Sequence, residues 1–198
     1  TCNSALYTNP IQISESCVLQ AVAIRENMET PIFKKEFTFN KATGKRAILN
    51  TQPTEKYSYN GVTHLIDGVR GGGSYASGDW LGYLNQPMDV TIEWPEPMNV
   101  SSVSIGTITD SGAWIFPPKR IEVYAAINDI EDLALLCRQE ISEAAEKGKD
   151  GIEEYSCKFD EARVKSMRIV VYPLDTIPEW HDGRGRKGHL FVDAIIVK

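Results

Sequence analysis

Three glycine-rich, aromatic stretches hold most of the side chains in this sequence that could do chemistry. The first is Leu65-Ile66-Asp67-Gly68-Val69-Arg70-Gly71-Gly72-Gly73-Ser74-Tyr75-Ala76-Ser77-Gly78-Asp79-Trp80-Leu81-Gly82, with six glycines in 18 positions. The second is Asp110-Ser111-Gly112-Ala113-Trp114-Ile115-Phe116-Pro117-Pro118, and the third runs from Ile177-Pro178-Glu179-Trp180-His181-Asp182-Gly183 to His189. Rings interleaved with Arg, His and carboxylates suit a ligand with one apolar face and a rim of hydroxyls, as a sugar has. Arg70, Tyr75, Trp80, Trp114, Trp180, His181 and Arg184 have that chemistry. The same rings could instead plug the end of a core, with Arg70 paired to a local carboxylate, because large aromatics also dominate cores. Trp94 lies in a strand pattern and reads as core.

Other chemistries lack their residues. His64, His181 and His189 carry no metal-site spacing, and Cys2, Cys17, Cys137 and Cys157 are too sparse for a zinc site or a disulfide scaffold and allow three pairings. No Gly-x-Ser-x-Gly elbow is present, so a serine hydrolase is not expected. The Arg184-Gly185-Arg186-Lys187 patch could meet an anionic sugar, although such a patch is more often a solvated loop.

The whole chain has 198 residues, 42% of them hydrophobic, and a net charge of −6. No apolar run exceeds five residues, against roughly 20 for a bilayer span, which excludes membrane insertion by a helix. The acidic balance and the single basic patch argue against nucleic acid.

The elements that must position the three stretches read as short strands. Residues Pro10–Ile13, Ser16–Arg25 and Pro31–Phe39 suggest a small leading β-module, closed by the turn-rich Asn40–Thr54 segment. The expected division is 1–45 and 46–198. Beyond it, Pro87–Trp94, Val100–Ile108, Arg120–Ile127, Lys165–Tyr172 and Leu190–Val197 are strand candidates bounded by turn residues, as in a β-sandwich or barrel. Asp132–Lys147 has strong helix formers at helical spacing, and propensity alone predicts a helix there.

Several motifs together resemble a known family. Leu65-Ile66-Asp67-Gly68-Val69-Arg70-Gly71-Gly72 with Trp80, Gly112-Ala113-Trp114-Ile115-Phe116, Pro178-Glu179-Trp180-His181-Asp182-Gly183 and Leu190-Phe191-Val192-Asp193 are similar to the factor V/VIII type C (discoidin) domain. More narrowly, they resemble the version at the C-terminal end of bacterial family 20 β-N-acetylhexosaminidases, the chitobiases. Ser4-Ala5-Leu6-Tyr7-Thr8-Asn9-Pro10-Ile11 and Val18-Leu19-Gln20-Ala21-Val22-Ala23 resemble the small β-module that precedes it there. On that likeness Thr1 falls inside the module's first hairpin.

The resemblance implies an all-β fold: a small Ig-like or Fn3-like β-module followed by a discoidin-type jelly-roll sandwich. It also implies strands rather than helix through Leu133–Ile141, and an extracytoplasmic location, periplasm or cell surface. The implied function is a non-catalytic accessory region that binds N-acetylhexosamine-containing glycans, with the enzyme's own catalytic domain as its neighbour. Two alternatives are a spacer that packs on the catalytic barrel without a ligand, and a lipid- or protein-binding domain, which the net charge disfavours. The family's Asp-Glu acid pair follows Gly-Gly, whereas Asp160-Glu161 here follows Cys157-Lys158-Phe159, so no catalytic residue is assigned. No cofactor is expected to be required. Many discoidin domains hold a structural calcium through the Asp of the Asp-Gly turn, here Asp67, and a Glu in the last strand. That Glu position reads Ala194, with Asp193 on the opposite face, and the frequent Thr ligand falls in the glycine run, which leaves few of the six to eight oxygens calcium wants.

Overall fold

A computed structural model describes residues 4–25, 28–126, 133–141 and 147–198. The leading segment forms two antiparallel ribbons: β1 (Cys17–Ala21) with β4 (Phe33–Phe37), and β2 (Ile24–Arg25) with β3 (Met28–Glu29). Pro10–Ile13 is not a strand. Val18, Ile24, Ile32 and Phe33 are exposed, because no second layer covers these ribbons among the described residues.

The rest is a sandwich built from β5 (Arg46–Leu49), β6 (Leu81–Leu84), β7 (Met88–Thr109), β8 (Arg120–Ala126), β9 (Ala134–Glu140), β10 (Gly151–Tyr172) and β11 (His189–Val197), with a short α1 at Thr63–Ile66. Two long strands, β7 and β10, run through both layers. In one layer the first part of β7 pairs with β5 and with the end of β10, which continues to β8 and β9. In the other, the end of β7 lies between β11 and the start of β10, and β6 pairs with β11. All these ladders are antiparallel.

The corner between layers is written in the sequence. Met88, Val90, Ile92 and Trp94 alternate into the core, then Pro95 and Pro97 interrupt the chain. Proline has no N–H for a ladder, and the β7–β10 register skips from Glu93 to Met98, where β10 also shifts between Val164 and Ser166. The two expected strands are therefore one bent strand. The helix that propensity alone predicts over Asp132–Lys147 gives way to β9, the strand that the resemblance implies, where the chain is described; residues 132 and 142–146 lie outside the described residues. Pairing decides it: Arg138 stands opposite Glu122 of β8 and donates to it from Nε at 2.8 Å, an interaction a helix would not make.

The turn before β5 closes the far end. Asn40 accepts from the backbone N–H groups of Ala42 and Val197, Lys41 N–H donates to Val197 O, and the Trp94 indole donates to Lys41 O at 2.8 Å. Ala42 is fully buried. Trp94 is core, as its strand pattern predicts. No described helix is long and apolar enough to cross a membrane.

Candidate functional site

The three aromatic stretches meet at the opposite end of the sandwich, where β6 ends and β11 begins, Leu84 pairing with His189. Trp80 forms the floor. It is fully buried against Ile108, Ile115 and Phe191, and its indole N–H donates to Gly72 O at 3.0 Å. Gly71 passes directly over the ring, where a Cβ would overlap the indole. This corrects the expectation for Trp80: a ring with no accessible face cannot stack on a sugar.

Above the floor stands a half-buried group. Tyr57 packs edge-on to Phe191, Tyr75 and His189, with centroids 4.8, 6.4 and 5.8 Å away. Tyr75, expected as a contact, keeps part of its surface open here. Burial, with Lys56 adding to it, pushes the His189 pKa below the usual histidine value, so this ring is neutral at neutral pH. Tyr57 and His189 were absent from the expected site. Tyr57-Ser58-Tyr59-Asn60-Gly61, an aromatic and polar turn just past the Asn40–Thr54 joint, carries the signal that could have found Tyr57.

The second group couples the Asp110–Pro118 loop to the Ile177–His189 loop. Asp110 accepts from Ala113 N–H through its side chain, and Trp114 adopts a left-handed φ of 63° before Ile115 returns to pair with Asp110. His181 binds both loops: its Nε2 donates to Ser111 O at 2.9 Å, while Nδ1 accepts from Gly183 N–H at 2.9 Å. Those two bonds fix its tautomer and occupy both ring nitrogens. The ring also packs edge-on to Trp114, Phe116 and Trp180. His181 therefore positions the two tryptophans, in place of the hydroxyl contact expected of it. Trp114 and Trp180 are half-buried, Arg186 lies over the Trp114 ring at 5.6 Å, and Arg184 is exposed on the same loop. A cavity of about 180 Å³ beside this loop is lined by Asn85, Gln86, Arg120, Tyr172 and Lys187, among others.

Arg70 lies beneath the glycine run. Its guanidinium bonds Asp193 at 3.3 Å and pairs with Glu154, while Gly71 N–H donates to Asp193 at 2.8 Å. Asp193 is 1% exposed, and burial raises its carboxyl pKa against the opposing pull of Gly71 and Arg70. The pairing of Arg70 with local carboxylates is the second of the two readings its sequence allowed.

Asp67 closes its own turn. Oδ1 accepts from Val69 N–H at 2.8 Å, and Oδ2 faces His64 Nδ1 at 3.7 Å. Burial raises this carboxyl. No group of three or more His, Cys, Asp or Glu among the described residues could hold a metal ion.

No family model matches the sequence, and no curated protein matches it. Solved structures share its fold. The family 32 carbohydrate-binding module of Streptococcus pneumoniae EndoD is similar with a TM-score of 0.54 at 13% identity, covering 81% of this chain and 99% of that one. Chitosan-binding module 1, derived from a chitosanase/glucanase of Paenibacillus sp. IK-5, gives 0.51 at 12%, covering 81% and 98%. The lectin-binding domain of lectinolysin, solved as a mutant with Lewis b, gives 0.51 at 15%, covering 81% and 95%. At these identities the likeness shows the fold, an all-β, discoidin-like sandwich of antiparallel sheets.

Proposed function

We propose that this chain is a non-catalytic carbohydrate-binding accessory region of a secreted β-N-acetylhexosaminidase, holding the enzyme on N-acetylhexosamine-containing glycans outside the cytoplasm. One observation carries the reading. At a single end of the sandwich, Tyr57, Tyr75, Trp114 and Trp180 are half-buried, so packing fixes each ring while part of it stays open beside His189, Arg184 and Arg186. Rigid rings cost little entropy on binding, and the neighbouring donors can take sugar hydroxyls. The solved neighbours named for chitosan, for Lewis b and as a family 32 carbohydrate-binding module support the ligand class. The hexosaminidase context rests on the motif resemblance, as does the division into a leading module at 1–45 and a sandwich at 46–198. Within that division, the sandwich holds the Asn40–Lys45 turn through Ala42 and Asn40.

The spacer alternative requires the loop tryptophans to be packed away, and only Trp80 of the three is. The test is titration with oligosaccharides ending in N-acetylglucosamine, N-acetylgalactosamine or galactose, followed by tryptophan fluorescence. Saturable binding that Trp114→Ala or Trp180→Ala weakens at least tenfold in a folded protein is the expected result. No binding to any of them at millimolar concentration would leave the spacer reading in its place.

A further inference from the structure

Cys137 and Cys157 are 20 positions apart in sequence and lie in opposite layers of the sandwich. Cys137 is on β9, opposite the core residue Val123 of β8; Cys157 is on the first part of β10, opposite the core residue Val103 of β7. Alternation thus turns both side chains inward, into the core between the layers. Cys157 is buried in the main core, and Cys137, half-buried, packs against the same core as its neighbour. Cys17, by contrast, is exposed on β1, away from this core.

We infer that Cys137 and Cys157 are a disulfide site, oxidised to tie the edge strand β9 to the opposite layer. The strand gains most from such a tie, because among the described residues β9 pairs on one side only, with β8. The chemistry balances with a disulfide oxidant of the glutathione class. The half-exposed Cys137, as thiolate, attacks the oxidant disulfide and releases one glutathione thiol, leaving a mixed disulfide. The Cys157 sulfur then attacks Cys137 and expels the second glutathione, so two hydrogens and two electrons pass from the protein thiols to the oxidant. Burial and the neighbouring Cys137 push the Cys157 thiol above its usual range, which makes the second step the slow one.

The test uses the full chain, reduced, then incubated with glutathione disulfide, alkylated and digested with trypsin. The expected product is a linked pair of peptides, 121–138 and 150–158, two hydrogens lighter than their sum. Its formation raises Tm by roughly 5–10 °C, a shift that dithiothreitol reverses. Cys137→Ala and Cys157→Ala each remove both effects. Far-UV circular dichroism shows whether each variant folds, and the wild-type peptide map decides the matter if one does not. Glutathione adducts on Cys137 without the link, links that instead use Cys17, or a 137–157 link that lowers Tm would overturn the assignment.

Discussion

A histidine's two ring nitrogens and its burial decide what it can do, and the two histidines at the sandwich end divide on that point. His181 uses both nitrogens to join the Ser111 and Gly183 backbones, so it builds the site. His189 sits under Tyr57 with its pKa depressed, first by burial and then by Lys56, so folding holds the neutral ring. The unfolded chain therefore takes up a proton there before the folded one does. Stability from His189 is complete above about pH 6.5, the ordinary histidine value, and is lost as pH falls toward the depressed folded one. His189→Gln should flatten the fall of Tm between pH 7 and pH 5.5 relative to the unsubstituted chain. Thermal melts across that window check it, and parallel curves would mean that the ring titrates alike in both states.

Strands and loops show how far an element could be read from its residues. The period-two Met88–Trp94 run, the start of β8 and the apolar β11 announce themselves because one or both faces are buried. The first part of β10 does not. Glu153, Glu154, Lys158, Asp160 and Glu161 dominate it, and only Tyr155, Cys157 and Phe159 mark its inner face, as fits a strand at the border of its layer. β9 was misread by propensity for a related reason: its partner, Glu122, lies on another strand, where it accepts from Tyr124 and Tyr172 hydroxyls as well as Arg138. The site was legible as chemistry and illegible as burial; Trp80 and Trp114 look equivalent in sequence, and only packing separates floor from face.

The tie between the glycine run and β11 is an element-scale interaction with a measurable consequence. Arg70 supplies the positive charge next to Asp193, so Arg70→Met leaves a buried carboxylate with backbone donors, Gly71 N–H first among them, and no cation. Removing one partner of a buried pair costs about 3–5 kcal/mol, and Arg70's partial exposure to water puts this case at the lower end. Adding Asp193→Asn to Arg70→Met should recover part of the loss, because no charge is then left buried. Urea melts of the two single variants and the double variant measure the coupling; strictly additive losses would show that the guanidinium does not neutralise Asp193. With Asp67 closing its own turn onto Val69 N–H, excess EDTA should leave the Tm of the wild-type chain unchanged. A fall in Tm that calcium restores would assign a metal to the turn after all.

At the scale of the whole molecule, the four tryptophans fall into two pairs, and that partition separates a binding module from a spacer. Trp80 and Trp94 are closed in at opposite ends of the core, each with its indole N–H satisfied by a backbone carbonyl. Trp114 and Trp180 are half-buried in loops that His181 holds together. Acrylamide should therefore quench one population of the emission and spare the other. Trp114→Phe with Trp180→Phe should remove the quenchable part while Tm falls only slightly. A bound oligosaccharide covers those two rings, so at saturation it should shrink the same fraction in the wild-type chain. If the sugar binds yet leaves that fraction intact, its face lies around Tyr57, Tyr75 and His189 instead. The Tyr57→Ala variant then becomes the one expected to lose affinity, because Tyr57 touches both Tyr75 and His189 and its removal opens the group at its centre.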